Sequence, residues 1–346
     1  MWESYKVRRS SSYASVCRRC LSRVLGCQVI AVLAPGQGAQ TPGMLDAWLH
    51  GPRAEQVGAE AMLARWSEAA GLDLARLGTT ASAEEIKDTA VTQPLIVAAS
   101  LLAHAQLGAA LTDSSALAKA PSAGHSIGEL AAAAVAGALS SDAAVELAAV
   151  RGREMAAACA LQPTGMSAVL GGDAEQVFTR LGEIGLDPAN QNGTGQVVAA
   201  GPLDALARLK EEPPEKARVI PLAVAGAFHT RFMSPAEDAL RDYAEKVDFA
   251  DPDRPLLSNA DGASVTSGGD LRDRLVAQVT LAVRWDLCMA MLRELGVTAV
   301  IELAPAGTLV GLVKRELKGT ATLALKSPDD LDKAAELVAE HAGSAA

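Results

Sequence analysis

The sequence predicts an α/β fold: a mostly parallel sheet covered by helices, with a small subdomain inserted into it. Three observations carry that expectation. Short apolar runs alternate with alanine- and leucine-rich helical stretches over residues 29–161 and again over 234–341, the pattern of buried strands covered on both faces. Between them, residues 165–224 change to the order strand, helix, strand, strand, helix, strand. Finally, Gly124-His125-Ser126-Ile127-Gly128 stands where a short apolar run meets a helix, the place of a sharp strand-to-helix elbow.

The elements follow in order. Residues 1–28 are rich in Arg, Ser and Cys and lack the apolar stretch of a secretory signal, so they read as an organelle transit peptide or a translated upstream stretch outside the fold. Residues 29–33 form a first buried strand, and Pro35-Gly36-Gln37-Gly38-Ala39-Gln40 a loop at its end, either a plain turn or backbone N–H groups facing a ligand. No Gly-x-Gly-x-x-Gly spacing or Gly-Lys-Ser/Thr follows, which disfavours a nucleotide site. Helices are expected at 54–70 and 93–110, a strand at 116–123, and helices at 130–138 and 142–161.

The middle stretch then gives a strand at 165–170, a helix at 173–184, strands at 188–192 and 196–200 joined through Gly193-Thr194-Gly195, a helix at 202–211 and a strand at 218–224. This is the ferredoxin-like order, in a unit of about 65 residues. Beyond it, Ser234 as N-cap and Pro235 at N1 open a helix. Strands at 255–259, 297–303 and 320–325 and helices at 270–283, 307–317 and 329–341 complete the chain.

Composition limits what such a chain does. Its 346 residues suffice for about two domains. The net charge is −10 although Lys6, Arg8, Arg9, Arg18, Arg19 and Arg23 make the leader basic, so the body is acidic and unsuited to polyanions in general. Aromatic residues, at 3%, are too sparse for a base-stacking surface, so no nucleic-acid partner is expected. The apolar runs at 94–103 and 130–139 fall short of the roughly 20 residues of a membrane helix. Cys159 and Cys288 alone lie in the body, which points to a reducing compartment, and Cys17-Arg18-Arg19-Cys20 lacks the second pair a zinc site needs.

Ser126 reads either as a nucleophile pushed out at the elbow or as part of a plain tight turn. A serine needs a base, and histidine is the usual one. Of five histidines, His125 is expected to leave the turn in another direction, His50 lies in a polar loop, His341 is solvated on the last helix, and His104 is a satisfied core residue. His229 remains, at the end of the strand-like run 224–228, as base or as a structural residue. Arg151 and Arg153 lie on the second helix after the elbow, where they either snorkel to water or clamp a carboxylate.

Taken together, GQGAQ at 36–40, TQP at 92–94, GHSIGE at 124–129, RGREM at 151–155, NQNGTGQVVAAG at 190–201, GAFHT at 226–230 and VRWD at 283–286 resemble the malonyl-CoA:acyl carrier protein transacylases of fatty-acid synthesis. These are discrete relatives of polyketide-synthase acyltransferase domains. The resemblance spans 29–346 and implies a hydrolase-like core from 29–160 and 225–346 with a ferredoxin-like subdomain at 161–224. It implies Ser126 as nucleophile and His229 as base, with His229 oriented by a backbone carbonyl at Gln278. Backbone N–H groups of Gln37 and Ile127 would form the oxyanion hole, while Arg151, Gln93, Phe228, Asn192 and Met155 would line the acyl site. Arg151 would pair with the malonyl carboxylate, and the bulk of Phe228 would favour malonyl over methylmalonyl. No metal or cofactor is implied beyond malonyl-CoA and the phosphopantetheinylated carrier protein, and the enzyme would be a cytoplasmic monomer.

One departure stands out: Val279-Thr280-Leu281-Ala282 replaces the Asn-Pro that many relatives carry before Val283. The competing readings are a serine hydrolase or thioesterase with Asp187 or Asp204 as triad acid, a polyketide acyltransferase, and a non-enzymatic carrier-binding module.

Overall fold

The structure, a computed structural model, describes residues 29–113, 115–193 and 195–341. The basic leader with its three cysteines and Thr194 of the Gly193–Gly195 turn lie outside those residues. Two sheets organise the rest. The larger has the spatial order β10 (Ala321–Ala324), β9 (Val297–Glu302), β1 (Val29–Ala34), β2 (Ser122–Gly124), β7 (Leu256–Leu257), β8 (Ser264–Val265). All its pairings are parallel except that of β7 with β8. β1 and β9 are buried almost end to end, as apolar strands covered on both faces must be.

Helices cover both faces. Before the elbow come α1 (Asp46–His50), α2 (Ala54–Val57), α3 (Ala59–Ala70), α4 (Leu74–Thr79), α5 (Thr89–Ala110) and the single turn α6 (Ser115–Ala118). α7 (Gly128–Val135) follows the elbow, and α8 (Ser141–Cys159) starts on Ser140, whose Oγ accepts the Ala143 N–H at 3.1 Å. This is the N-cap bond that satisfies an otherwise orphaned donor. α5 starts in the same way on Asp88, whose carboxylate accepts the Ala90 N–H at 2.9 Å. By length and composition α5 could cross a membrane, which the shorter apolar run of the sequence did not suggest, but it is mostly buried inside the fold. α5 and α8 pack closely because Gly152 has no side chain: a Cβ there would stand 2.7 Å from the Thr89 carbonyl oxygen. That approach sets Arg151 beside Gln93.

The smaller sheet runs β4 (Asp187–Gln191), β5 (Gln196–Pro202), β3 (Thr164–Gly171), β6 (Ala217–Pro221) and is antiparallel throughout. Its helices, α9 (Ala174–Glu183) and α10 (Leu203–Glu211), bury Val177, Leu181, Leu206 and Leu209 against Val169 and Ala199. The alternate residues Met166, Val198 and Ala200 face the other way and join the main core. The twofold period of a strand thus gives this sheet one side for its own helices and one for the active half. Gln191 N–H to Val283 O at 2.8 Å and Val283 N–H to Ala189 O at 2.9 Å tie it to the large sheet's side. The chain ends through α11 (Ser234–Ala244), α12 (Gly268–Ala277), α13 (Trp285–Glu294), α14 (Thr308–Glu316) and α15 (Leu331–His341).

Several expectations are corrected. The helix expected at 54–70 breaks at Gly58, which is left-handed at φ 66°. The strand expected at 116–123 is a helical turn followed by three strand residues, since a short apolar run does not by itself distinguish strand from helix. The helix at 130–138 starts earlier and ends at Val135, and the strand at 255–259 shrinks to two residues. β6 stops at Pro221, so the run 224–228 is not a strand. Ser234 is the first residue of α11, not its cap: a short 3-10 turn, Arg231–Met233, precedes it with Thr230 as cap. α12 ends at Ala277 instead of 283, freeing 278–283 to wrap around the site. α1, α4, β8 and α13 were not anticipated. His50 ends α1 instead of lying in a loop, though it is exposed. His341 is half-buried and bonded to Thr298 Oγ1 at 2.8 Å, and His104 is half-buried on α5, where desolvation lowers its pKa to about 4.

Candidate active site

The site starts at the end of β2. A Cβ on Gly124 would stand 2.0 Å from the Gly128 backbone, and one on Gly128 would stand 2.3 Å from the Ala34 carbonyl oxygen. Both positions therefore require glycine. The turn between them holds Ser126 at φ 53°, a left-handed conformation costly for a residue with a Cβ. It projects Oγ over the start of α7.

His229, also left-handed at φ 60°, meets it from the segment after β6. Its Nδ1 lies 2.8 Å from the Gln278 carbonyl oxygen, and its Nε2 lies 2.7 Å from Ser126 Oγ. A carbonyl only accepts, so Nδ1 carries the proton and the Nε2 lone pair faces the serine. No carboxylate holds this histidine: Asp187 is paired with Arg231, and Asp204 lies on α10. The backbone beside Gln278, where the Asn-Pro is missing, also accepts the His229 N–H at Val279 O, 3.1 Å away. Desolvation, and next the charge of Arg151, hold the His229 imidazole down to about 3, so it is neutral at ordinary pH.

Arg151 does not snorkel to water. It is 3% exposed, with Nη1 on Gln93 Oε1 at 2.7 Å and Nη2 on Gln278 Oε1 at 2.9 Å, and Nη2 also lies 3.3 Å from Ser126 Oγ. Burial lowers its pKa only to about 10, so the guanidinium stays charged. Gln93 is held in turn by Met155 Sδ at 3.5 Å. Arg153, by contrast, is exposed and pairs with Glu154.

These groups surround a cavity of about 90 Å³ lined by Gln37, Gln93, Ser126, Ile127, Arg151, Met155, Phe228 and His229. No described residue accepts the backbone N–H of Gln37 or Ile127. The Gln37 side chain reaches Thr89 Oγ1 at 3.4 Å, fixing its loop over the start of α5. Of the residues expected here, Asn192 does not line the cavity; its Oδ1 instead binds His125 Nε2 at 2.9 Å. His125 leans against Trp285, with ring centroids 5.6 Å apart, yet one edge of it still lines the cavity beside Ser126.

Two residues of the site had no role from sequence. Glu129 is buried under the elbow, where desolvation raises the pKa of its carboxyl while the Asn259 N–H, the Arg151 charge and the Gln278 amide favour the ionised form. Asn259 is fully buried, and its Oδ1 accepts the Ser126 N–H at 2.8 Å. Glu129 closes the GHSIGE motif, and Asn259 follows the carboxyl end of a strand, which is where polar site residues gather in parallel sheets. The small sheet adds Met166 and Val198 to the cavity wall.

A serine, a neutral histidine and a buried guanidinium around two free backbone donors suit acyl transfer through a covalent ester. Residues 32–338 match the family described as the acyl transferase domain. The chain belongs to that family. Among acyl transferases it is 58% identical to the malonyl CoA-acyl carrier protein transacylase of Mycobacterium tuberculosis, over 89% of this chain and all of the relative. The crystal structure of MCAT from the same organism superposes with a TM-score of 0.84 over the same shares of both chains. A type II polyketide acyl-carrier protein in complex with its malonyl-transacylase, PlMCAT:AntF, superposes at 0.82 with 31% identity, covering 90% of this chain and all of the other.

Proposed function

We propose that this acyl transferase is a malonyl-CoA:acyl carrier protein transacylase working by a ping-pong mechanism through a malonyl ester on Ser126. The observation that carries this reading is the charged Arg151 guanidinium, buried 3.3 Å from the nucleophile it would serve. Its three hydrogen bonds inside the protein leave N–H donors for a carboxylate two bonds from the reacting carbonyl.

Ser126 Oγ attacks the thioester carbonyl while His229 Nε2 takes its proton. The resulting oxyanion accepts the Gln37 and Ile127 N–H groups, a contribution of about 3 kcal/mol per donor. Collapse breaks the carbon–sulfur bond, and His229 returns the proton to the departing CoA thiol. In the second half the phosphopantetheine thiol gives its proton to His229, attacks the ester and restores the Ser126 hydroxyl. Thioester, ester and thioester lie close in energy, so the small cavity serves mainly to limit the water that reaches the ester. The side chains suffice for these steps, and no cofactor is needed besides the two substrates.

Phe228, buried against the cavity, leaves little room for an α-methyl branch, which favours malonyl over methylmalonyl. We further read residues 29–160 and 225–346 as a hydrolase-like core and 161–224 as a ferredoxin-like subdomain, on the strand order β4-β5-β3-β6. The enzyme is proposed to be cytoplasmic and to supply fatty-acid elongation. The test is Arg151→Ala: malonyl transfer should fall by roughly 3 kcal/mol and acetyl transfer stay comparatively unaffected. Equal losses for both acyl groups would remove the carboxylate-pairing role.

A further inference from the structure

Glu129 takes no part in the chemistry proposed above, yet it lies buried on the first turn of α7, three residues after the nucleophile. Both of its oxygens are occupied. Oε1 accepts the backbone N–H of Asn259 at 2.5 Å, and Oε2 accepts Gln278 Nε2. These two residues meet the elbow at different backbone atoms of Ser126. Asn259 Oδ1 accepts the Ser126 N–H at 2.8 Å while its Nδ2 donates to Gly124 O at 2.8 Å. Gln278 Nε2 also lies 3.3 Å from Ser126 O. Both backbone polar groups of the strained serine are thus bonded, and both bonds lead back to one carboxylate.

The chemistry of the position calls for a carboxylate. Two N–H donors face it, and only the ionised carboxylate accepts on both oxygens; these donors and the Arg151 charge favour that form against the burial that opposes it, whereas an amide would turn its own NH₂ on one donor. The same contact settles which way the Gln278 amide points. With Nε2 on Glu129, its Oε1 faces Arg151, the 2.9 Å bond already described. Because the Ser126 N–H is taken by Asn259, it is not available to an oxyanion.

We infer that Glu129 is a positioning residue of the acyl transfer, setting the Ser126 backbone through Asn259 and the Arg151 guanidinium through Gln278. The inference rests on the reading of Ser126 as the acylated nucleophile.

The test compares the whole chain with Glu129→Gln and Asn259→Ala, each checked for folding by circular dichroism. Two rates are followed by intact mass: malonyl adduct formation from malonyl-CoA, and reaction with a small uncharged sulfonyl fluoride directed at serine. Glu129→Gln should slow both at least about tenfold, malonyl more strongly, and Asn259→Ala should slow the sulfonyl fluoride reaction by a similar factor. A Glu129 that only supports the fold would lower the melting temperature while leaving both rates of the folded variants within roughly twofold, and that result overturns the inference. If neither variant folds, native-state hydrogen exchange of the parent decides. A Ser126 amide protected like the core strands supports the inference, and exchange at the rate of an open loop overturns it. If the parent forms no malonyl adduct while the sulfonyl fluoride rates respond as expected, the functional reading fails and the positioning of Ser126 stands.

Discussion

The two sheets of this protein are built to different tolerances. In the large sheet, β1, β2 and β9 are buried nearly throughout, and the elbow between β2 and α7 depends on backbone groups too close to admit even a methyl. In the small sheet, β4 and β6 are largely half-buried or exposed, and α9 and α10 each bury one stripe only. The nucleophile Ser126 sits on the first, while the second lends apolar wall through Met166 and Val198. The difference teaches where precision is needed: bonds that must be placed to a fraction of an ångström come from the close-packed half, and shape comes from the looser one.

Substitutions can break this contrast. The largest effect is expected for Ser126→Ala, which should keep the fold and cost at least about 10⁴-fold in malonyl transfer, measured by transfer to carrier protein. Next comes Gly128→Ala, where the new Cβ would face the Ala34 carbonyl oxygen at 2.3 Å. It should cost roughly 3 kcal/mol or more of stability in denaturant unfolding, with loss of activity beyond the unfolded fraction. Arg151→Ala follows, with its roughly 3 kcal/mol set against malonyl and not acetyl.

A smaller effect comes from pH. His229 is held from its ordinary 6.5 down to about 3 by desolvation and the Arg151 charge. A depressed pKa means the fold prefers the neutral ring, so this contribution is complete above about pH 6.5 and is lost as pH falls toward 3. The slope approaches about 1.4 kcal/mol per pH unit within that window. Melting temperature should therefore drop on acidification less steeply in His229→Gln than in the parent. Activity should show no acid limb near pH 6.5, since the base stays neutral there. The smallest effect belongs to the exposed start of α10, one of the small sheet's helices. Leu203→Ala, at a side chain 52% exposed, should change stability by less than about 1 kcal/mol and leave malonyl transfer unaltered.

Sequence reveals the same contrast unevenly. The alternation of strands and helices, the β-α-β-β-α-β order and the pentapeptide around Ser126 are local patterns, and the structure bears out the β-α-β-β-α-β elements to within a few residues. The 255–259 and 116–123 runs were over-read because they pair over only two or three residues, and periodicity needs length to speak. Arg151 left two readings open because its fate depends on how closely α5 approaches, which Gly152 decides, and its partner Gln93 lies 58 residues away in the chain. Asn259 gave no signal beyond its place after a strand: its bonds to Ser126 and Gly124 cross more than 130 residues of chain. Likewise, the departure at 279–282 does not show from sequence where it leaves the Gln278 carbonyl, which meets His229 Nδ1 at 2.8 Å. Local pattern gives the elements, and only packing gives the partners.

The central claim is that Ser126 carries the malonyl group between two thiols. The most direct measurement is intact mass of the protein after mixing with malonyl-CoA, then again after adding phosphopantetheinylated carrier protein. A malonyl adduct on Ser126 should form within the first step and disappear in the second as the carrier gains the same mass. A carrier that becomes malonylated while Ser126→Ala protein works as well as the parent, or an adduct that hydrolyses without loading the carrier, would contradict it.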